Sequence, residues 1–298
     1  MIITEPGKIT ERITLLGCKE CCVYNVDGGD EIVWIGGAMS YVIPDILQQM
    51  KDFGIDERTI KRIFILHSHY DHCGYIPYFK KRCPWIKVNA SKRAKKILAN
   101  PKISKNIAAF NEETLTGLGL NTQIEGIDLA FTGIEVEETV GEGEVVSCGN
   151  LDLEVLEVPG HSSCSIAIYI PQEKALFGSD AIGVRHDREF FMPSGNSDFN
   201  LFQQNLEKMT RYNVDLVLGD HFGASVGKDA REYLPRSIEA AQKLRARIEA
   251  SYSRTRDIKK ASEEVTDYFM NEVPVFFFPR EVMFVVVEQM VKCIARDL

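Results

Sequence analysis

Apolar residues in this chain come in short runs separated by polar turns. "ITLLG" (13–17), "CVYNV" (22–26) and "EIVWI" (31–35) read as strands, and the "DGGD" at 27–30 as a hairpin turn, because glycine reaches positive φ cheaply. Ile46, Leu47 and Met50 share one helical face, which predicts a helix over 43–54. "IKRIFIL" (60–66) predicts a buried strand, a helix follows over 73–81, and "IKVNA" (86–90) is a further strand. Helices are predicted over 91–100 and 103–115, then a polar, glycine-punctuated connection to 140, read as an insertion beside the active site. Strands resume in 144–158, with a turn at Gly149–Asn150, and in 165–170 and 174–180. A helix over 199–212 and a strand over 214–221 close this part.

After Asp229 the period changes. Leu234, Ile238, Ala241, Leu244 and Ile248 have helical spacing, as do Ile258, Ala261, Val265 and Tyr268. Met283, Val286, Val287, Met290, Val291 and Ile294 repeat it, with Pro279 at a helix start. The pattern predicts an α/β body over 1–225 and a three-helix C-terminal appendage over 226–298.

Composition narrows the partners. The 298 residues carry a net charge of −8, which argues against a phosphate-backbone ligand; "KRAKK" (92–96) reads as a solvated helix face. No apolar run reaches the ~18–20 residues of a membrane span; the greasy "VPVFFFPREVMFVVV" (273–287) is broken by Pro279, Arg280 and Glu281. The opening "MIITEPGKITER" lacks the charge and apolar core of a signal peptide, so a cytoplasmic location is expected by default. Eight cysteines in such a chain are expected as reduced thiols. Cys18, Cys21 and Cys22 look like half of a zinc or redox site, but no second CxxC completes it, and thiols packed in or beside a strand are the preferred reading.

The chemistry lies in the histidines. Three of the six fall within "FILHSHYDHCG" (64–74), at the end of a predicted strand. Alternate residues of an extended chain point the same way, so His67, His69 and Asp71 converge, with His72 next to them. "VPGHSSCS", "ALFGSDAI" and "LVLGDHFG" place His161, Asp180 and His221 where apolar runs give way to small-residue turns. Imidazole and carboxylate donors suit zinc, manganese and iron. His186 is left over, as an ordinary surface or pocket histidine.

"HSHYDH", "GHSS", "GSD" and "GDH" together resemble the signature of the metallo-β-lactamase superfamily, over about residues 10–225. "HSHYDHCGYIPY" followed by a helical C-terminal region is more closely similar to the quinolone signal response protein and to thioesterase-like and glyoxalase II-like hydrolases. The resemblance implies an αββα sandwich with a dinuclear metal site at one edge. Two divalent ions (Zn, Fe or Mn) would be held by His67, His69 and His161 and by Asp71, His72 and His221, with Asp180 bridging. Asp71 would also orient the attacking water.

The implied reaction is hydrolysis of a thioester or ester of a small metabolite, with hydroxide held by the metals as nucleophile. Alternatives are a lactonase or phosphodiesterase, or a regulatory, partner-binding protein on a hydrolase fold. Asp180 stands where secreted zinc lactamases carry a cysteine, which disfavours antibiotic hydrolysis. An acidic residue common near the end of the early strand in this family is missing from "VWIGGAMS" (33–40), where Ile35 precedes Gly36. The C-terminal helices are expected to lid the site or to form a homodimer surface, and Phe190 and Phe191 to line the pocket.

Overall fold

Two seven-stranded mixed sheets lie face to face in the computed structural model, which describes residues 1–272 and 279–298. The N-terminal sheet runs Glu138–Val140, Lys87–Ser91, Ile60–Ile65, Ile32–Gly36, Cys21–Asp27, Ile13–Cys18, Gly7–Lys8. The C-terminal sheet runs Ile2–Ile3, Ala224–Val226, Leu216–Leu218, Ala175–Phe177, Ile166–Ile170, Leu151–Glu157, Val145–Cys148. Strands such as Ile32–Gly36 and Ile166–Ile170 are buried at every position, because each sheet is covered on both faces. Their sequences are therefore continuous apolar runs.

Helices α1 (Ile43–Asp52), α2 (Ile76–Arg82), α3 (Lys92–Leu98) and α4 (Pro101–Gly117) cover the N-terminal sheet, sharing a core with Trp34, Ile63 and Val88. A second core between the sheets joins Tyr24, Phe64, Ile168 and Phe177. A third lies under α5 (Phe199–Met209), α7 (Tyr233–Thr255), α8 (Ile258–Glu272) and α9 (Arg280–Ala295), the short α6 (Lys228–Arg231) leading into them. The layers are thus α/β/β/α with a C-terminal helical appendage, as the resemblance implied. Among the described residues no helix is long and apolar enough to cross a membrane.

Local departures from the sequence reading lie at element ends and in short strands of two or three residues. The helix expected over 73–81 starts at Ile76, after a 3-10 turn at Tyr70–His72, with Pro77 in its first turn. The strand expected over 174–180 stops at Phe177, and Ser179–Ile182 turns as 3-10 helix. The strand over 214–221 is only Leu216–Leu218, and Ala224–Val226 pairs back onto it unannounced. Three-residue strands are too short to show a period. The apolar stretch 273–278 lies outside the described residues.

Candidate metal centre

Strand direction sets the site. Ile60–Ile65 is parallel to its neighbours on both sides, and Ala175–Phe177 is parallel to Leu216–Leu218. The loops after these strands and after Leu151–Glu157 leave at one edge of the sandwich. Leu66 C=O accepts the Ile166 N–H at 2.8 Å, tying the two sheets together beside it. Gly160 shapes the loop before His161: at φ +143° it lies against α5, where a Cβ would sit 2.4 Å from Phe202 N.

All seven predicted side chains meet at this edge. The Nε2 of His161 lies 3.3 Å from His67 Nε2 and 3.0 Å from His69 Nδ1. Asp180 Oδ2 is 3.4 Å from His161 Nε2 and 3.5 Å from His72 Nε2, and its Oδ1 is 3.6 Å from His221 Nε2. Asp71 Oδ2 lies 3.5 Å from His72 Nε2 and 3.7 Å from His221 Nε2. Three groups have donor atoms close enough to share an ion: His67/His69/His161, His67/His72/Asp180 and Asp71/His72/His221.

Hydrogen bonds behind the rings fix which nitrogens face inward. Carbonyl oxygens only accept, so His161 Nδ1 donates to Ser194 C=O (2.8 Å) and His221 Nδ1 to Glu20 C=O (2.6 Å). His72 Nδ1 donates to the Asp220 carboxylate at 2.8 Å. Ser179 Oγ donates to the same Asp220 oxygen at 2.6 Å and accepts from His67 Nδ1 at 3.2 Å. The inner nitrogens are left as lone pairs facing other lone pairs and carboxylate oxygens. Such an arrangement is repulsive without a cation, and His72 Nε2 and Asp180 Oδ1 are buried with no hydrogen-bond partner. Donors about 2.0–2.1 Å from a tetrahedral zinc sit about 3.3 Å apart, close to the spacing of the first three rings. The residues present fit a divalent metal.

The electrostatics agree. Burial pushes His67 and His161 down, and His69 down to about 4, so these rings are neutral, as ligands must be. Burial opposes the charged form of His72, but the Asp71 and Asp180 carboxylates overcome it and hold its pKa well above the usual value. The local excess of negative charge is thus one that a proton or a divalent cation neutralises.

Two residues that sequence reasoning passed over complete the centre. Asp220 is 2% exposed and supplies the carboxylate that the early strand lacks. It comes from the other sheet, and Gly36 makes room for it: a Cβ on Gly36 would stand 2.8 Å from Asp220 Oδ1. Ser179, at φ +46°, links Asp220 to His67. Both sit in quoted stretches, next to Asp180 and His221. His186 stays apart, its ring 4.9 Å from Phe222 and its Nδ1 3.7 Å from Asp187. Phe190 and Phe191 line a cleft of about 1040 Å³ with Leu244, Arg247, Val265 and Phe269 of α7 and α8, and none of the seven side chains of the metal centre borders it.

Known proteins resemble this chain in sequence and in shape. Acyl-coenzyme A thioesterase MBLAC2 of Gallus gallus is 25% identical over 164 residues, 52% of this chain and 54% of that one. A hydroxyacylglutathione hydrolase of Bradyrhizobium sp. is 26% identical over 124 residues, 42% of this chain and 34% of that one. The chain therefore spans about half or less of the length of these relatives. The metallo-beta-lactamase family protein TTHA1429 of Thermus thermophilus matches with TM-score 0.68 at 18% identity, covering 97% of this chain and 94% of that one. BJP-1, a subclass B3 metallo-beta-lactamase of Bradyrhizobium japonicum, matches with TM-score 0.59 at 20% identity, covering 81% and 94%. These two show the fold. Residues 26–221 match the sequence profile of the Metallo-beta-lactamase superfamily, and the chain belongs to that superfamily.

Proposed function

We propose that the chain is a metal-dependent hydrolase of a thioester or ester of a small metabolite, with two divalent ions in the centre. One observation carries this: the imidazole nitrogens of His67, His69 and His161 converge at 3.0–3.3 Å, the rings of His67, His72, His161 and His221 are each tied from behind, and the Asp71 and Asp180 carboxylates reach into the same cluster. His67, His69 and His161 would hold one ion and Asp71, His72 and His221 the other, with Asp180 within reach of both groups. Nitrogen and oxygen donors without thiolate suit zinc, iron or manganese. Bound there, such ions supply Lewis acidity and a water that ionises near neutral pH.

The chain's own groups do the rest. Asp71, beside His72 and His221, would orient the attacking water. Asp220 keeps the His72 lone pair pointed inward, as Glu20 and Ser194 do for His221 and His161. An acyl-coenzyme A thioesterase and a hydroxyacylglutathione hydrolase among the relatives favour a thioester over a lactone or phosphodiester.

Elemental analysis of purified protein should give two metal equivalents. Acyl-CoA, lactone and bis(p-nitrophenyl) phosphate panels should show turnover of the first class. Asp180→Ala should lose metal and cut thioester hydrolysis more than about a hundredfold, beyond the ~10–100-fold of outer-sphere changes. Metal-free protein, or inertness towards all three panels, refutes the proposal; a cellular phenotype that survives Asp180→Ala would favour a partner-binding role instead.

A further inference from the structure

Outside the metal centre, one cluster of reactive side chains has no assigned work: Cys18, Cys21 and Tyr41. Cys18 ends one strand and Cys21 begins the next, and the two are paired directly across the turn at Lys19 and Glu20. Opposed residues of an antiparallel pair sit about 4.5–5.5 Å apart at Cα, within the ~4.4–6.8 Å that a disulfide spans. The Tyr41 hydroxyl lies 3.4 Å from the Cys21 sulfur and 3.8 Å from that of Cys18. A hydrogen bond from the Cys21 thiol, with burial opposing, brings Cys18 down to about 7, while Cys21 is raised. Cys18 is half-buried and Cys21 buried. That is the layout of an attacking thiolate beside a resolving thiol. Cys22 and Cys73, by contrast, are fully buried and pushed up by burial. Among the described residues no metal-holding group of three includes a cysteine, which disfavours a third metal site.

The turn between the two cysteines is fastened to the metal centre. Glu20 C=O accepts from His221 Nδ1 at 2.6 Å, Lys19 C=O from Phe222 N–H at 2.7 Å, and Cys22 N–H donates to Asp220 C=O at 2.8 Å. We propose that Cys18 and Cys21 form a reversible dithiol–disulfide pair whose oxidation loosens the metal centre through Glu20 and His221. The second half rests on the metal-dependent reading above.

With hydrogen peroxide as oxidant, the Cys18 sulfur attacks one peroxide oxygen and the O–O bond breaks, leaving a sulfenic acid on Cys18 and releasing water. The Cys21 sulfur then displaces hydroxide from Cys18, and the S–S bond forms. The two thiol protons end in two water molecules, and the two sulfurs have each given up one electron. A dithiol reductant reverses the step by exchange. Drawing the sulfurs from hydrogen-bond separation to about 2.05 Å moves the turn that carries the Glu20 carbonyl.

The test uses the full chain, stoichiometric peroxide, alkylation with N-ethylmaleimide and peptide mapping. Zinc affinity of both forms is read by competition with a chromophoric chelator. Two of the eight thiols should disappear into a Cys18–Cys21 cross-link that dithiothreitol reverses. Cys18→Ser should form none, and Cys21→Ser should stop at a sulfenic acid on Cys18 that dimedone traps. Oxidised wild type should bind zinc about tenfold or more weakly, and peroxide-treated Cys18→Ser as before. Eight alkylatable thiols after peroxide, or a bond between other cysteines, overturns the pair. Equal zinc affinity in both forms overturns the coupling. A chain that binds no zinc in either form overturns the metal reading and the coupling together, while the thiol map still decides the cross-link.

Discussion

Asp220 accepts hydrogen bonds from His72 and Ser179 while its backbone carbonyl takes the Cys22 N–H, so one residue braces both sheets at the centre. Asp220→Asn keeps the shape and removes the charge; metal affinity should fall about 10–100-fold, read by chelator competition. Gly36→Ala drives a methyl into Asp220 Oδ1 at a position with φ +100°. Such overpacking costs about 1–3 kcal/mol, visible as a lower melting temperature, and metal affinity should fall with it. Alkylation of Cys18 should rise through pH of about 7, because its thiolate is the form present above its lowered pKa; the titratable groups facing it are Cys21, Tyr41 and Cys22. A midpoint near the ~8.5 of an ordinary thiol would contradict that. The convergence of His67, His69 and Asp71 was legible in the sequence because a strand end presents alternate residues to one side. Asp220 and Ser179 were not, since each acts across the chain on a partner more than a hundred residues away. Only the missing acid near Ile35 hinted at a substitute.

Element ends decide where the ligands point. The chain leaves its strand early and turns at Ser179–Ile182, and α7 fastens that turn: Tyr233 Oη donates to Gly183 C=O at 2.8 Å and Ser237 Oγ to Ile182 C=O at 2.6 Å. Tyr233→Phe leaves the buried Gly183 carbonyl without this donor, which should cost about 1–3 kcal/mol, seen in urea unfolding. The strands and long helices could be read from apolar runs and helical period. Ala224–Val226 and the 3-10 turns could not, because two or three residues hold no period and tertiary pairing alone defines them.

On the scale of the whole molecule, the appendage is not a loose addition. Leu156, Leu176 and Val217 of the C-terminal sheet share one core with Leu244, Val265, Val287 and Met290 of α7–α9. Each such side chain contributes about 1.5–3 kcal/mol when buried. A chain cut after residue 225 should therefore bind a hydrophobic dye and aggregate, by fluorescence and size-exclusion chromatography. We propose that helices α6–α9 form a subdomain that the sandwich requires. The centre itself draws on both halves of the sandwich: His67, His69, Asp71 and His72 follow a strand of one sheet, and His161, Asp180 and His221 follow strands of the other. Ions gripped from both sides would act as staples across the seam. Chelation should then be felt as a mechanical loss, with protease first admitted along the line where the two sheets meet.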